Sequence, residues 1–101
     1  MLKWLRRADI DLQEVENYIA KDNPKAAVEM VVKIILAVER LEHFPGISRA
    51  GRVEGTKELV IDGTPYIVPY RRKGNLIEIL RVYHSSRLWP QRFSKSSRQL
   101  L

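Results

Sequence analysis

Leu2, Trp4 and Leu5 alternate loosely with Lys3 and Arg6, which predicts a short first strand. The period then changes. Leu12, Val15, Tyr18 and Ile19 recur at spacings of three and four, the mark of an amphipathic helix. Asp9 or Asp11 is the expected N-cap, with Asp11, Glu14 and Glu16 on the outer side and an end near Lys21-Asp22. Asn23-Pro24 then predicts a sharp restart: Asn caps, and Pro at the first helical position gives up an N–H that would be orphaned anyway. The second helix is expected from about Lys25 to His43. Ala27, Val31, Ile34, Val38 and Leu41 form its stripe, widened by Val28, Val32, Ile35 and Leu36, so that it should pack on both its partner helix and a sheet. The short connection predicts an antiparallel helical hairpin.

Phe44-Pro45-Gly46 stops the helix, and residues 46–56 read as a basic, Gly-rich loop whose glycine spacing is wrong for a phosphate loop. The rest turns to strands. Glu58–Ile61 is one, Asp62-Gly63 is a strong hairpin signal, and Thr64–Tyr70 is the next. Pro65 and Pro69 interrupt its donors and predict an edge or a bulge. Arg71–Asn75 reads as a charged turn. Leu76–Tyr83 is apolar at both parities, Ile77 and Ile79 on one face and Leu80 and Val82 on the other, as in a central strand. The order β-α-α-β-β-β predicts an α+β fold: a helical hairpin on a small, largely antiparallel four-stranded sheet. Residues 1–90 form the expected domain, and 91–101 a polar, basic C-terminal tail.

Composition narrows the chemistry. The 101 residues suit one domain and one core. With no Cys, disulfides and thiol chemistry are excluded; with only His43 and His84, no metal cluster or cofactor is expected. No apolar run approaches the roughly 20 residues of a membrane span, and Met1–Arg7 lacks the apolar core of an export signal. A cytoplasmic protein without membrane contact is expected. Residues 1–50 hold 8 basic and 8 acidic side chains, residues 51–101 hold 10 and 4, so the whole excess of +6 lies in the second half. Segregation of this kind predicts a surface for a polyanion, nucleic acid or an acidic protein segment.

An ordered set of segments carries a family likeness: Ala8-Asp9 with Asp11-Leu12, Tyr18-Ile19-Ala20, Asn23-Pro24, Ala26-Ala27, Leu41, Pro45 and Gly51-Arg52-Val53. It continues through Gly55–Val60, Gly63–Val68 with Tyr70, Ile79–Val82, His84, Arg87 and Trp89-Pro90. In these the chain resembles the RelE/ParE superfamily of toxins from type II toxin–antitoxin modules, also called plasmid stabilisation proteins. The resemblance implies a growth-inhibiting toxin wrapped by a cognate antitoxin. It also implies one of two targets: ribosome-bound mRNA, cut in the A site by RelE-like members, or DNA gyrase, poisoned by ParE-like members. Fold alone does not choose between them.

Cleaving RNA requires a base for the 2′-hydroxyl, charge stabilisation at phosphorus and an acid for the 5′-oxygen. The resemblance places Arg81 at the phosphate, where a guanidinium fork suits the task; its other reading is an ion pair with Glu78 or Glu58. His84 suits acid–base work, or orders the Ser85-Ser86 turn. Tyr83 could stack on a base, or pack half-buried. In a regular strand Arg81 and His84 point to opposite faces, so they converge only if the strand bends. Arg52, Lys57, Arg71 and Arg72 are candidate phosphate contacts, or a solvated face. Glu58 is a possible base or an Arg partner. Lys57 stands alone where RelE has a lysine cluster. On the gyrase reading no acid–base pair is needed, and toxicity should map to Arg87, Arg92 and Arg98. A detoxified remnant that only binds its antitoxin is the third option. His43 is read as a helix C-terminal residue, and Trp89-Pro90 as cover for the sheet edge or the core rim, with an antitoxin contact as the alternative.

Overall fold

A computed structural model describes residues 1–86; Arg87, Trp89-Pro90, Arg92, Arg98 and the expected tail 91–101 lie outside the described residues. Strand β1 spans Leu2–Trp4 and helices α1 and α2 span Arg6–Ala20 and Pro24–Glu39. Two 3-10 turns follow, Arg40–Glu42 and Pro45–Ile47, then β2 (Arg49–Ala50), β3 (Lys57–Val60), β4 (Tyr66–Lys73), β5 (Leu76–Ile79) and β6 (Tyr83–His84).

Asn23 caps α2 as expected, its side chain accepting from the Ala26 N–H at 3.0 Å. Helix α1 starts earlier than its acidic residues suggest. Leu5 is its N-cap, without a side-chain bond, and Asp11 lies a full turn inside and is buried. The outward placement expected for Asp11 is therefore overturned, as is the inward one for Tyr18, which is 73% exposed. The long second helix ends at Glu39 and tightens into the first 3-10 turn. Ala27, Ile34, Val38 and Leu41 bury as predicted. Val28, Val32 and Leu36 stay exposed, so the widened stripe does not pack on the sheet.

Six strands form the sheet, in the order β1-β5-β4-β3-β2 with β6 paired to β4. The extra two are the short β2, inside the expected loop, and β6. Only β1–β5 is parallel. The core joins Ile34, Val38 and Leu41 of the helical layer to Leu59, Val68, Tyr70, Ile77, Ile79 and Val82. Each fully buried aliphatic side chain there contributes about 1.5–3 kcal/mol by leaving water. Gly63, at φ +76°, makes the Asp62-Gly63 turn. The charged segment after Tyr70 is not a turn: Arg71–Lys73 extend β4, and the chain reverses at Gly74-Asn75.

The predicted last strand is broken. Tyr70 pairs with Ile79, but Ile67 pairs with Tyr83, so two residues of β4 face the three residues Leu80, Arg81 and Val82. That is a β-bulge. Pro69 is not at a sheet edge; it lies in central β4 opposite the bulge, where it offers a carbonyl to the Leu80 N–H at 3.0 Å but no N–H in return. The extra residue resets the alternation. Val82 therefore joins Ile77 and Ile79 in the core instead of facing away with Leu80.

Candidate functional site

Asp11 lies in the inward stripe of α1 with Ala8 and Val15, all buried. Its carboxylate takes Arg81 Nε at 2.7 Å on Oδ2 and Arg81 Nη2 at 3.0 Å on Oδ1. The Val82 N–H also donates to Oδ2, at 2.9 Å. This one side chain ties α1 to the bulge. Arg81 Nη1 donates to the Tyr83 hydroxyl at 3.0 Å, and the guanidinium lies 4.7 Å from that ring's centre. The ion pair is nearly dry, with side chains 12% and 5% exposed. Burial disfavours the Arg81 charge, but the Asp11 bonds and field outweigh it, so its pKa is raised above the ordinary value.

The bulge also decides where His84 goes. It pairs across from Tyr66, with the two rings edge to face at 5.6 Å. A cleft of about 460 Å³ opens between α1 and β6, lined by Asp11, Glu14, Tyr18, Tyr66, Val82 and His84 among others. Arg81 is joined to that cleft through Asp11. Of the predicted trio only His84 lines this cleft; Tyr83, paired with Ile67, faces the other side of the sheet. His84 Nδ1 faces the Ser86 N–H at 3.2 Å and the Ser86 hydroxyl at 2.8 Å, which orders the turn that follows β6. The ion pair expected between Arg81 and Glu78 or Glu58 is replaced by the one with Asp11, because both glutamates hold other cations.

Glu58, 2% exposed, accepts Arg49 Nε and Nη2 on one oxygen at 3.1 and 2.9 Å. Its second oxygen accepts the Arg52 N–H and Nε at 2.9 and 3.2 Å. Burial pushes its pKa up, but the Arg52 N–H, the Arg49 bond and both charges hold it below the usual carboxylate range. Glu78 is also held low, first by the hydrogen bond from Arg71 Nε at 2.7 Å, against a smaller burial penalty. Lys73 Nζ lies 3.7 Å from the same oxygen. Of the four candidate phosphate contacts, Arg52 and Arg71 are thus carboxylate-bound. Lys57 pairs with Tyr70 and Arg72 with Ile77, on the helix side of the sheet, opposite to Arg71. The four do not share one face.

Asp11 was missed as a site residue. Its signal was present: an acid at the position of a buried stripe, three residues from Ala8 and four from Val15, needs a cation in the interior. Among the described residues no three His, Asp or Glu side chains gather as a metal site, and no helix is long and apolar enough to cross a membrane.

The match to known proteins covers nearly all of these elements. The ParE toxin of type II toxin–antitoxin system (parDE) family matches residues 2–89. A curated relative, named "Putative toxin Y4kP" in Sinorhizobium fredii, is 43% identical over 90 residues, covering 89% of this chain and 93% of the relative. A solved structure from the chromosomal ParDE system of P. aeruginosa superposes with a TM-score of 0.75 at 32% identity, covering 82% of this chain and 92% of that one. Helical hairpin, mixed sheet and sequence agree: the chain belongs to the ParE toxin family of type II toxin–antitoxin systems, a membership that implies a cognate antitoxin as its partner.

Proposed function

We propose that this toxin acts by binding rather than by bond cleavage, with DNA gyrase as its target and a cognate antitoxin as its restraint. The observation that carries the reading is the commitment of Arg81. A cation that stabilises a pentavalent phosphorus must offer its N–H edges to the substrate. Three of the five Arg81 N–H donors, one on each nitrogen, serve Asp11 and Tyr83, the side chain is only 12% exposed, and the Asp11 carboxylate balances the charge. His84 likewise spends Nδ1 on Ser86. Membership in the ParE family, whose resemblance implies gyrase, supports the same reading.

The test is a supercoiling assay with purified gyrase beside primer extension on mRNA in a purified translation system, from one preparation. Blocked supercoiling or trapped cleaved DNA with intact mRNA is expected. New mRNA ends that require ribosomes, with supercoiling untouched, would overturn the proposal and return Arg81, His84 and Tyr83 to catalytic roles. An Asp11→Leu/Arg81→Met protein sharpens the contrast. It removes the guanidinium but replaces the pair with packing, so gyrase inhibition should persist where RNA cleavage would vanish.

A further inference from the structure

Helix α2 is apolar on two opposite faces. Ala27, Ile34 and Val38 are buried against the rest of the fold. On the far side Val28, Val32 and Leu36 recur every four residues and stay 54%, 47% and 55% exposed. A helix apolar all round is normally buried all round, so this outer stripe is an interaction surface. The stripe ends in opposite charges. Lys25 lies seven residues before Val32 and Glu39 seven after. Seven residues are almost two full turns, so each falls within about 20° of Val32 around the helix. Both are exposed, and among the described residues neither makes an ion pair. Both also oppose the helix dipole: a cation stands in the first turn, which holds no acid, and an anion in the last, which holds no base. Beside Leu36 and Glu39 opens a groove of about 520 Å³, lined also by Leu2, Arg40, Glu42 and His43.

We infer that the outer stripe of α2 binds a second copy of this chain, the two α2 helices packing antiparallel about a two-fold axis through Val32. The pattern is self-complementary, as a two-fold contact demands. Under that axis each residue meets the one equally far beyond Val32 on the partner subunit. Val32 meets itself, Val28 meets Leu36, and Lys25 meets Glu39, the last pair forming twice. Each charge lies about 10 Å along the helix from the axis, so both pairs form in one register. The dipoles are then complemented, because each N-terminus gains the partner subunit's Glu39 and each C-terminus the partner subunit's Lys25. The groove beside Glu39 takes the aliphatic stem of that lysine while its ammonium stays at the rim. A parallel pair would set Lys25 against Lys25 and Glu39 against Glu39, so the charges select the antiparallel one. Three half-exposed apolar side chains cover far less than the roughly 800 Å² per partner of a standard interface. The dimer is therefore a weak one, with a dissociation constant on the order of 10–100 µM. None of these groups lines the cleft between α1 and β6, so the inference stands or falls independently of the gyrase reading.

Sedimentation velocity on the full chain, free of antitoxin, tests this from about 1 µM to 1 mM. A concentration-dependent shift from monomer to dimer is expected. Val32→Glu sets two carboxylates together on the axis and should leave a monomer throughout. Lys25→Glu or Glu39→Lys alone puts like charges at both ends and should raise the dissociation constant about tenfold. Lys25→Glu/Glu39→Lys restores opposite charges and should return it to within about threefold of the parent. Each single reversal suits the dipole of its own helix better, so the melting temperature at about 1 µM, where the chain is monomeric, should not fall. Weaker dimerisation is then not a folding defect. A chain still monomeric at about 1 mM, a dimer untouched by Val32→Glu, or a double reversal no tighter than the singles would each overturn the inference. So would a monomeric chain that co-elutes with purified cognate antitoxin only while Val32 is intact, which would give the stripe to the antitoxin.

Discussion

Removing the Asp11 carboxylate should be among the most damaging single changes available in this fold. Asp11→Ala deletes the acceptor for two Arg81 nitrogens and for the Val82 N–H. It leaves a guanidinium that is only 12% exposed without its counter-charge. Breaking a buried pair from one side costs about 3–5 kcal/mol, the larger part being the charge left behind. The Val82 N–H, now unpaired in the bulge, adds to the damage and places the expected loss near the top of that range. Against a total stability of about 5–15 kcal/mol for a domain of this size, that is a large fraction. At roughly 4–8 °C per kcal/mol, the melting temperature should fall by about 20 °C or more. Urea unfolding followed by circular dichroism measures it. The second arm is Asp11→Leu/Arg81→Met, which removes both charges and fills the space, and should recover most of the loss. A loss below about 1 kcal/mol in Asp11→Ala, or a double variant as unstable as the single one, would refute the account of a desolvated pair.

Acid should destabilise the protein through Glu58 and Glu78. Both have folded pKa values below their unfolded ones, so their contribution is present above about pH 4.3 and is lost as pH falls through the lowered folded values. Melting temperature against pH should therefore drop over that range, and Glu58→Gln should flatten the slope; an unchanged slope would remove Glu58 from the explanation. Asn23→Ala should cost about 1 kcal/mol by orphaning the Ala26 N–H, read as a lower urea midpoint with an unchanged m-value. Ile34→Ala, at a fully buried position, should cost about 2–5 kcal/mol by leaving a cavity under the helical hairpin; a cost under about 1 kcal/mol would mean the layers close over it.

The periodicities alone determined the helical hairpin, the Asn23-Pro24 break, the Asp62-Gly63 turn and the interior of α2. These depend on residues close in sequence: a cap, a proline, a glycine and apolar spacing each act within a turn or two. The fold class and the family likeness were legible for the same reason, spread over many local segments. The site was less legible. The resemblance singled out Arg81, and side-chain chemistry His84 and Tyr83, yet of the three only His84 lines the cleft. Their partners, though, come from 70 residues away in the case of Asp11, and no local pattern pairs them. The bulge is the clearest case. Strict alternation put Val82 beside Leu80 and set Arg81 against His84. One unmatched residue opposite Pro69 reset that alternation, turned Val82 into the core and brought His84 to the Tyr66 side. Pro69 announced an edge or a bulge in the sequence, but which strand took the extra residue, and where, is fixed by cross-strand register. The pairing of charges followed the same rule. The sequence held the excess of cations in its second half, while tertiary structure decided that Glu58 and Glu78 would be buried and hold four of them in place. Burying a carboxylate is favourable only where folded strands bring guanidiniums within hydrogen-bond reach.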